Sequence, residues 1–160
     1  MPKTHIRFFK PSNSGRILPP VTTDYRLLTT DYRSTMPTPY RILIVDDAPT
    51  VREGLRWLLD NEPDLEVVGE ACDGLEALEE TMALLPDVII LDIDMPVMDG
   101  FEVARAIKAA LDPPLILFVT VHGDNDCRER ARAAGGDGFA EKGKGWPELI
   151  AELRTLLTQI

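Results

Sequence analysis

From Tyr40 onward, short apolar runs alternate with stretches in which apolar residues recur every three or four positions. The short runs predict five strands, at residues 41–45, 66–71, 88–91, 115–119 and 138–140. Helices are predicted between them, beginning at Pro49, at Asp73-Gly74, after Asp99-Gly100, near residue 124 and near Trp146. Because strands 1, 3 and 4 are apolar throughout, they are typical of parallel strands covered on both faces. The pattern predicts an α/β doubly wound fold.

Four of the five predicted helices carry an apolar stripe that should face the sheet. The stripes are Val51, Leu55, Leu58 and Leu59 in the first helix; Leu75, Leu78, Met82 and Leu85 in the second; Phe101, Val103, Ala104 and Ile107 in the third; and Leu149, Ile150, Leu153, Leu156, Leu157 and Ile160 in the last. The fourth helix, at about 124–134, is mostly polar, which indicates an atypical or loosely packed surface there.

Residues 1–38 follow no helical or strand period and are rich in Thr, Ser and Pro. They carry six basic and two acidic side chains, a net charge of +4, so residues 39–160 carry −14. We interpret residues 1–38 as a flexible tail and 39–160 as the folded domain. Two alternatives stay open: a basic arm that binds an acidic partner, or translation starting at Met36, so that residues 1–35 are not native.

Composition excludes several classes of protein. The chain has 160 residues and a net charge of −10, which argues against direct binding to nucleic acid or to an anionic membrane. Its two cysteines, Cys72 and Cys127, cannot form a disulfide framework or a CxxC metal site. No apolar stretch approaches 18 residues, and the N-terminus lacks the apolar core of a signal peptide. We therefore expect a cytoplasmic protein with reduced thiols.

The residues that follow the predicted strands carry the candidate chemistry. Asp46 and Asp47 follow strand 1, Asp92 ends strand 3, Thr120 ends strand 4, and Lys142 follows strand 5. In a doubly wound sheet the site lies outside the carboxyl ends of the strands. Each residue alone is compatible with a cap, a turn or a solvated loop. Together, converging carboxylates predict a Mg²⁺ site, and a carboxylate can also accept a phosphoryl group.

Residues 40–160 resemble a response-regulator receiver domain of two-component signalling. The resemblance is carried by VREGLRWLLDNEPDLEVVGEACDGLEAL (51–78) and PDVIILDIDMPVMDGFEVARAIK (86–108), and most specifically by LDIDMPVMDG (91–100). It is closest to the receivers of LuxR-type regulators. It implies a flavodoxin-like five-stranded parallel sheet of order 2-1-3-4-5, and a histidine kinase or phosphotransfer protein as the partner that donates the phosphoryl group.

The resemblance also implies roles for individual residues. Asp92 would be the phosphoacceptor, and Lys142 and Thr120 would bind the phosphoryl oxygens. Mg²⁺ would be held by three carboxylates and one backbone carbonyl, from Asp46, Asp47, Asp92 and, through its carbonyl, Asp94. Phe139 would be the switch aromatic that swings inward when Thr120 moves. Asp94 and His122 would flank the phosphoryl group and tune its lifetime, although His122 is also compatible with an ordinary exposed loop residue.

The chain departs from the family pattern at several places, and two of them bear directly on function. Glu141 puts a charge where an apolar residue is usual, and we expect it to compete for Lys142. Only 18 residues follow Lys142, which leaves no room for the DNA-reading helix pair of LuxR-type regulators. We therefore expect a stand-alone receiver without direct nucleic-acid binding, or else a fragment of a longer regulator. As an enzyme it would do no more than phosphorylate and dephosphorylate its own aspartate.

Trp57 lies off the apolar stripe of the first helix and is therefore expected to be exposed. Exposed tryptophans are enriched at protein interfaces. In the family that the chain resembles, helices 1 and 5 can form a homodimer face, and we expect Trp57 to contribute to one. The alternative is a tryptophan that packs on neighbouring side chains of its own domain.

Two rival functions use the same residues. A haloacid-dehalogenase-like phosphohydrolase also forms an aspartyl phosphate, and Asp92-Ile-Asp94 resembles its DxD motif. Against this, the motif lies on the third strand rather than the first, and the Asp46-Asp47 pair would have no role. The second rival is a receiver-like scaffold that is never phosphorylated.

Overall fold

The computed structural model describes residues 38–160. Apart from Thr38, the predicted tail and both alternatives for it lie outside the described residues. The strands are β1 (Tyr40–Val45), β2 (Leu65–Ala71), β3 (Val88–Asp92), β4 (Leu115–Thr120) and β5 (Gly138–Glu141). The helices are α1 (Pro49–Leu59), α2 (Gly74–Leu84), α3 (Gly100–Lys108), α4 (Asn125–Ala133) and α5 (Trp146–Leu157), and a short 3₁₀ turn (Lys142–Lys144) follows β5.

The five strands form one sheet in the order β2-β1-β3-β4-β5, and every neighbouring pair is parallel. This confirms the predicted doubly wound fold with strand order 2-1-3-4-5. All residues of β3 are buried, as its continuous apolar run predicts. The order reverses between β1 and β3, so the carboxyl ends of these two strands lie side by side.

A hydrophobic core fills each face of the sheet. Helices α1 and α5 pack on one face, where Leu55 and Leu153 lie against β-strand residues such as Ile90. Helices α2, α3 and α4 pack on the other, where Phe101 of α3 lies against Phe118 of β4 with ring centroids 5.6 Å apart. Among residues 38–160, no helix is long and apolar enough to cross a membrane.

The predicted apolar stripe of α2 is wrong in three of its four residues. Leu75 and Met82 are 55% and 73% exposed, and Leu85 lies beyond the helix with a positive φ of 49° and is 74% exposed. The helix instead buries Gly74 and Ala77. A Cβ atom on Gly74 would stand 2.8 Å from side-chain atoms of α3 and of the loop before it. Close packing of these two helices therefore requires small residues inward, which turns the larger side chains outward.

The stripe of α5 is confirmed except at its end. Leu149, Leu153, Leu156 and Leu157 are buried, but the helix ends at Leu157 and leaves Ile160 63% exposed. The polar α4 packs through only two buried residues, Cys127 and Ala131.

Candidate functional site

Three carboxylates meet where β1 and β3 end. Asp46 and Asp92 are 2% and 4% exposed, whereas Asp47 is exposed. Each of the three offers an oxygen within 4.8 Å of the others. These are the residues that the sequence pattern predicts for the site, and the side-by-side ends of β1 and β3 explain why they converge.

The Asp46 loop is held by several hydrogen bonds. Its side chain accepts one from the Ala48 backbone N–H at 2.9 Å, and its backbone carbonyl accepts one from Arg52 Nη1 at 2.7 Å. Arg52 Nε also donates to Glu70 of β2 at 3.1 Å, which joins α1 to the sheet beside the site. Our sequence interpretation missed Arg52. Its only signal was a position one turn into α1, three residues after the proline.

Lys142 reaches into the carboxylate cluster from the end of β5. Its Nζ donates to Asp46 Oδ2 at 2.6 Å and lies 3.1 Å from Asp92 Oδ1. Burial works against its charge, but the hydrogen bonds and charges of Asp46 and Asp92 outweigh burial, so the pKa of Lys142 is raised and it is a cation at neutral pH. One ammonium group therefore offsets part of the charge of three carboxylates.

Asp92 is the carboxylate most perturbed by its surroundings. Burial is the largest influence and raises its pKa to about 6; the charge of Lys142 opposes this, and the nearby Asp46 carboxylate adds to the rise. The cluster thus carries an excess of negative charge at neutral pH. A hard dication with oxygen ligands would relieve this excess, so the residues present fit Mg²⁺.

Thr120 ends β4 beside this cluster, fully buried. Its hydroxyl donates to Asp94 Oδ2 at 3.3 Å and accepts from the His122 backbone N–H at 3.2 Å. The Asp94 side chain is exposed and points to Thr120 rather than joining the three-carboxylate cluster. The His122 ring is exposed, with Nε2 3.9 Å from Asp94. The hydroxyl is therefore engaged with Asp94 and would have to give up that hydrogen bond to donate to another ligand.

The expected competition of Glu141 for Lys142 is wrong. Glu141 instead accepts a hydrogen bond from Arg128 of α4 at 2.5 Å and pairs with Lys144 at 3.1 Å. The reason is geometric: successive residues of a strand point to opposite sides, so Glu141 leaves β5 towards α4 while Lys142 turns to the pocket. Phe139, two residues before Glu141, is half-buried on the same side, under the Arg128 guanidinium.

Trp57 is 71% exposed on α1, as its position off the stripe predicts. Trp146, at the start of α5, packs against Gly54 of α1, since a Cβ atom there would lie 3.2 Å from its ring. The two helices therefore meet at this tryptophan. A homodimer face formed by α1 and α5 stays a prediction.

Comparisons with known proteins indicate the family of the chain. Residues 42–154 match the family described as the response regulator receiver domain. The chain is 36% identical over 124 residues to protein-glutamate methylesterase/protein-glutamine glutaminase 1 of Methanosarcina acetivorans, which covers 72% of this chain and 36% of that protein.

Two solved structures share the fold. The signal receiver domain of NarL from Mycobacterium tuberculosis is 37% identical with a TM-score of 0.70, covering 75% of this chain and 98% of that one. A two-component response regulator of the LuxR family from Aurantimonas is 33% identical with a TM-score of 0.73, covering 76% of this chain and 87% of that one.

Proposed function

Because the chain belongs to the response regulator receiver domain family, we propose that it accepts a phosphoryl group on Asp92 and signals through the resulting change of conformation. The observation that carries this proposal is the buried Asp92 carboxylate, 3.1 Å from the Lys142 ammonium and grouped with Asp46 and Asp47. A nucleophile, a fixed cation and a set of metal ligands are the parts that phosphoryl transfer to a carboxylate requires.

The transfer proposed is from a phosphohistidine of a partner kinase or phosphotransfer protein. A lone pair of an Asp92 Oδ forms the new P–O bond while the P–N bond breaks and its electrons remain on the histidine nitrogen. The product is an acyl phosphate. Lys142 would keep its charge beside a phosphoryl oxygen, and Thr120 would leave Asp94 to donate to another oxygen.

Mg²⁺ would be held by the carboxylates of Asp46, Asp47 and Asp92 and by the Asp94 backbone carbonyl. When bound, it supplies neutralisation of the charge on the transferring phosphoryl group. The chain's own contribution is to position the carboxylates. The hydrogen bonds that Asp46 accepts from Ala48 and Arg52 hold the pocket's most buried carboxylate in place.

Receiver domains interact with histidine kinases or phosphotransfer proteins, and this chain is proposed to do so. The chain spans about a third of the length of the methylesterase relatives that it matches. The matched part is the receiver, so the proposal concerns phosphoryl acceptance and does not extend to methylesterase or glutaminase activity.

The phosphohydrolase alternative is not favoured. Its DxD motif would need both carboxylates in the pocket, whereas the Asp94 carboxylate is exposed and bonded to Thr120. The Asp46-Asp47 pair, which that alternative leaves without a role, joins Asp92 in the cluster.

Incubation with Mg²⁺ and acetyl phosphate tests the proposal. We expect one phosphoryl group per chain, bound as an acyl phosphate that is stable to acid and released by hydroxylamine, and no labelling when EDTA removes the metal. Intact-protein mass spectrometry would measure the label. Repeated turnover of phosphate monoesters would instead establish a hydrolase, and no label with any donor would establish a scaffold.

Replacing Asp47 with Asn should weaken Mg²⁺ binding without unfolding the domain. Asp47 is exposed, so its neutralisation should change the free energy of unfolding by no more than about 0.5 kcal/mol. Loss of one charged ligand should raise the dissociation constant of Mg²⁺ by about tenfold or more, measured by isothermal calorimetry. Asp60→Asn, an exposed carboxylate at the other end of α1, is the matched control and should bind Mg²⁺ like the wild type.

A further inference from the structure

An ion pair crosses the loop between β4 and α4, residues 121–124, which directly follows Thr120. Arg128, in the first turn of α4, donates from Nη2 to Glu141 Oε1 at 2.5 Å and from Nε to the Gly123 carbonyl at 3.2 Å. One guanidinium thus connects α4, the loop and the end of β5. We call this pair, Arg128 with Glu141, the bridge.

The Glu141 side chain lies directly against the loop. A Cβ atom added to Gly123 would stand 1.9 Å from Glu141 Cδ and 2.1 Å from its Oε1. The Glu141 carboxylate therefore occupies the space beside Gly123, and a larger residue there, or a movement of the loop towards β5, would require the Glu141 side chain to turn aside. Lys144 also pairs with Glu141, and the hydrogen bonds from Lys144 and Arg128 lower the pKa of Glu141, so the carboxylate is charged at neutral pH.

Arg128 also covers Phe139. Its guanidinium lies 4.5 Å from the centroid of the ring, and the ring packs against the core on the α4 side of the sheet. A cation–π contact of this kind favours the ring position in which it forms. The three groups that Arg128 contacts are therefore the loop after Thr120, the end of the strand before Lys142, and the aromatic residue proposed to change position with phosphorylation.

We propose that the bridge holds the loop and Phe139 in the unphosphorylated conformation, so that Arg128 and Glu141 are positioning residues that set how readily the domain switches. The inference rests on the proposed function, since it concerns the motion that phosphorylation of Asp92 requires. If the bridge belongs to the unphosphorylated conformation alone, a ligand that favours the switched conformation binds at the cost of the bridge. Removing the bridge raises the fraction of molecules that are already in the switched conformation. The apparent affinity for a ligand that binds this conformation rises by the same factor.

Beryllium fluoride, a mimic of the phosphoryl group, tests the inference when it is titrated into the full chain with Mg²⁺. The Gly123 amide resonance would report binding. For Glu141→Gln we expect the apparent dissociation constant to fall about two- to fivefold, as the loss of a partly exposed pair allows. Arg128→Gln should lower it at least as much, because Arg128 also contacts the Gly123 carbonyl and the Phe139 ring, and the double variant should tighten binding no further than Arg128→Gln alone.

Glu148→Gln is the matched control. Glu148 also faces Lys144, at 3.7 Å, but it lies in the first turn of α5, whereas the bridge joins α4 to the end of β5. Glu148→Gln should bind beryllium fluoride with the same dissociation constant as the wild type. If the bridge merely stabilises the fold, Glu141→Gln would have a lower free energy of unfolding but an unchanged dissociation constant for beryllium fluoride. That result would overturn the inference, and so would weaker binding of beryllium fluoride. Wild-type protein that neither binds beryllium fluoride nor labels Asp92 would overturn the proposed function itself.

Discussion

Asp92→Asn should abolish acyl-phosphate formation while leaving the domain folded. Asparagine has the shape of aspartate but no charged nucleophilic oxygen, so labelling by acetyl phosphate should fall below about one-hundredth of the wild-type rate. Lys142 keeps its 2.6 Å hydrogen bond to Asp46, and removing one of three clustered carboxylates relieves repulsion. Mass spectrometry would follow the label, and circular dichroism the fold.

Asp112→Asn provides the control for this variant. Asp112 is an exposed carboxylate in the loop before β4, at the amino-terminal ends of the parallel strands, whereas the site lies at their carboxyl ends. It should label like the wild type. If Asp92→Asn retained an acyl phosphate at a comparable rate, the acceptor would be another carboxylate of the pocket, and the assignment of Asp92 would be wrong. Peptide mapping after reduction with borohydride would then identify the residue.

Most of the fold could be predicted because its signals are local. Five apolar runs and the helical stripes between them determine the order of elements, and buried parallel strands read as uninterrupted apolar residues. The pocket followed from the same reasoning, since the carboxyl ends of parallel strands share one edge. Asp46, Asp92 and Lys142 could therefore be placed together although they are far apart in the chain.

What could not be predicted depends on packing between elements. The buried side of α2 follows from its close approach to α3 at Gly74, which no periodicity reports. The partner of Glu141 depends on the direction in which the strand presents its side chain, and a polar helix gives no sign of which arginine reaches across a loop. Arg128 and Arg52 each donate to a backbone carbonyl as well as to a carboxylate, and contacts with the backbone have no sequence signature.

Gly100→Ala should be the most destabilising single-methyl change near the site. Gly100 is buried at the start of α3, and a Cβ atom there would lie 2.2 Å from the Asp92 carbonyl oxygen and 2.9 Å from Ile93 Cα. These neighbours are backbone atoms of the segment that carries the acceptor, so they cannot turn aside as a side chain could. Its backbone N–H also donates to the Ile93 carbonyl at 2.9 Å, which fixes the close approach.

We expect Gly100→Ala to lower the free energy of unfolding by about 3 kcal/mol, the upper end of the usual cost of overpacking. Gly143→Ala is the matched control, since a Cβ atom at Gly143 would meet nothing within 4 Å. It lies next to Lys142 and should change stability by no more than about 0.5 kcal/mol in the same urea titration. Because the displaced atoms belong to Asp92 and Ile93, Gly100→Ala should also weaken Mg²⁺ binding, whereas Gly143→Ala should not. Equal stability of the two variants would show that α3 can shift away from β3, and that the close contact does not hold the acceptor in place.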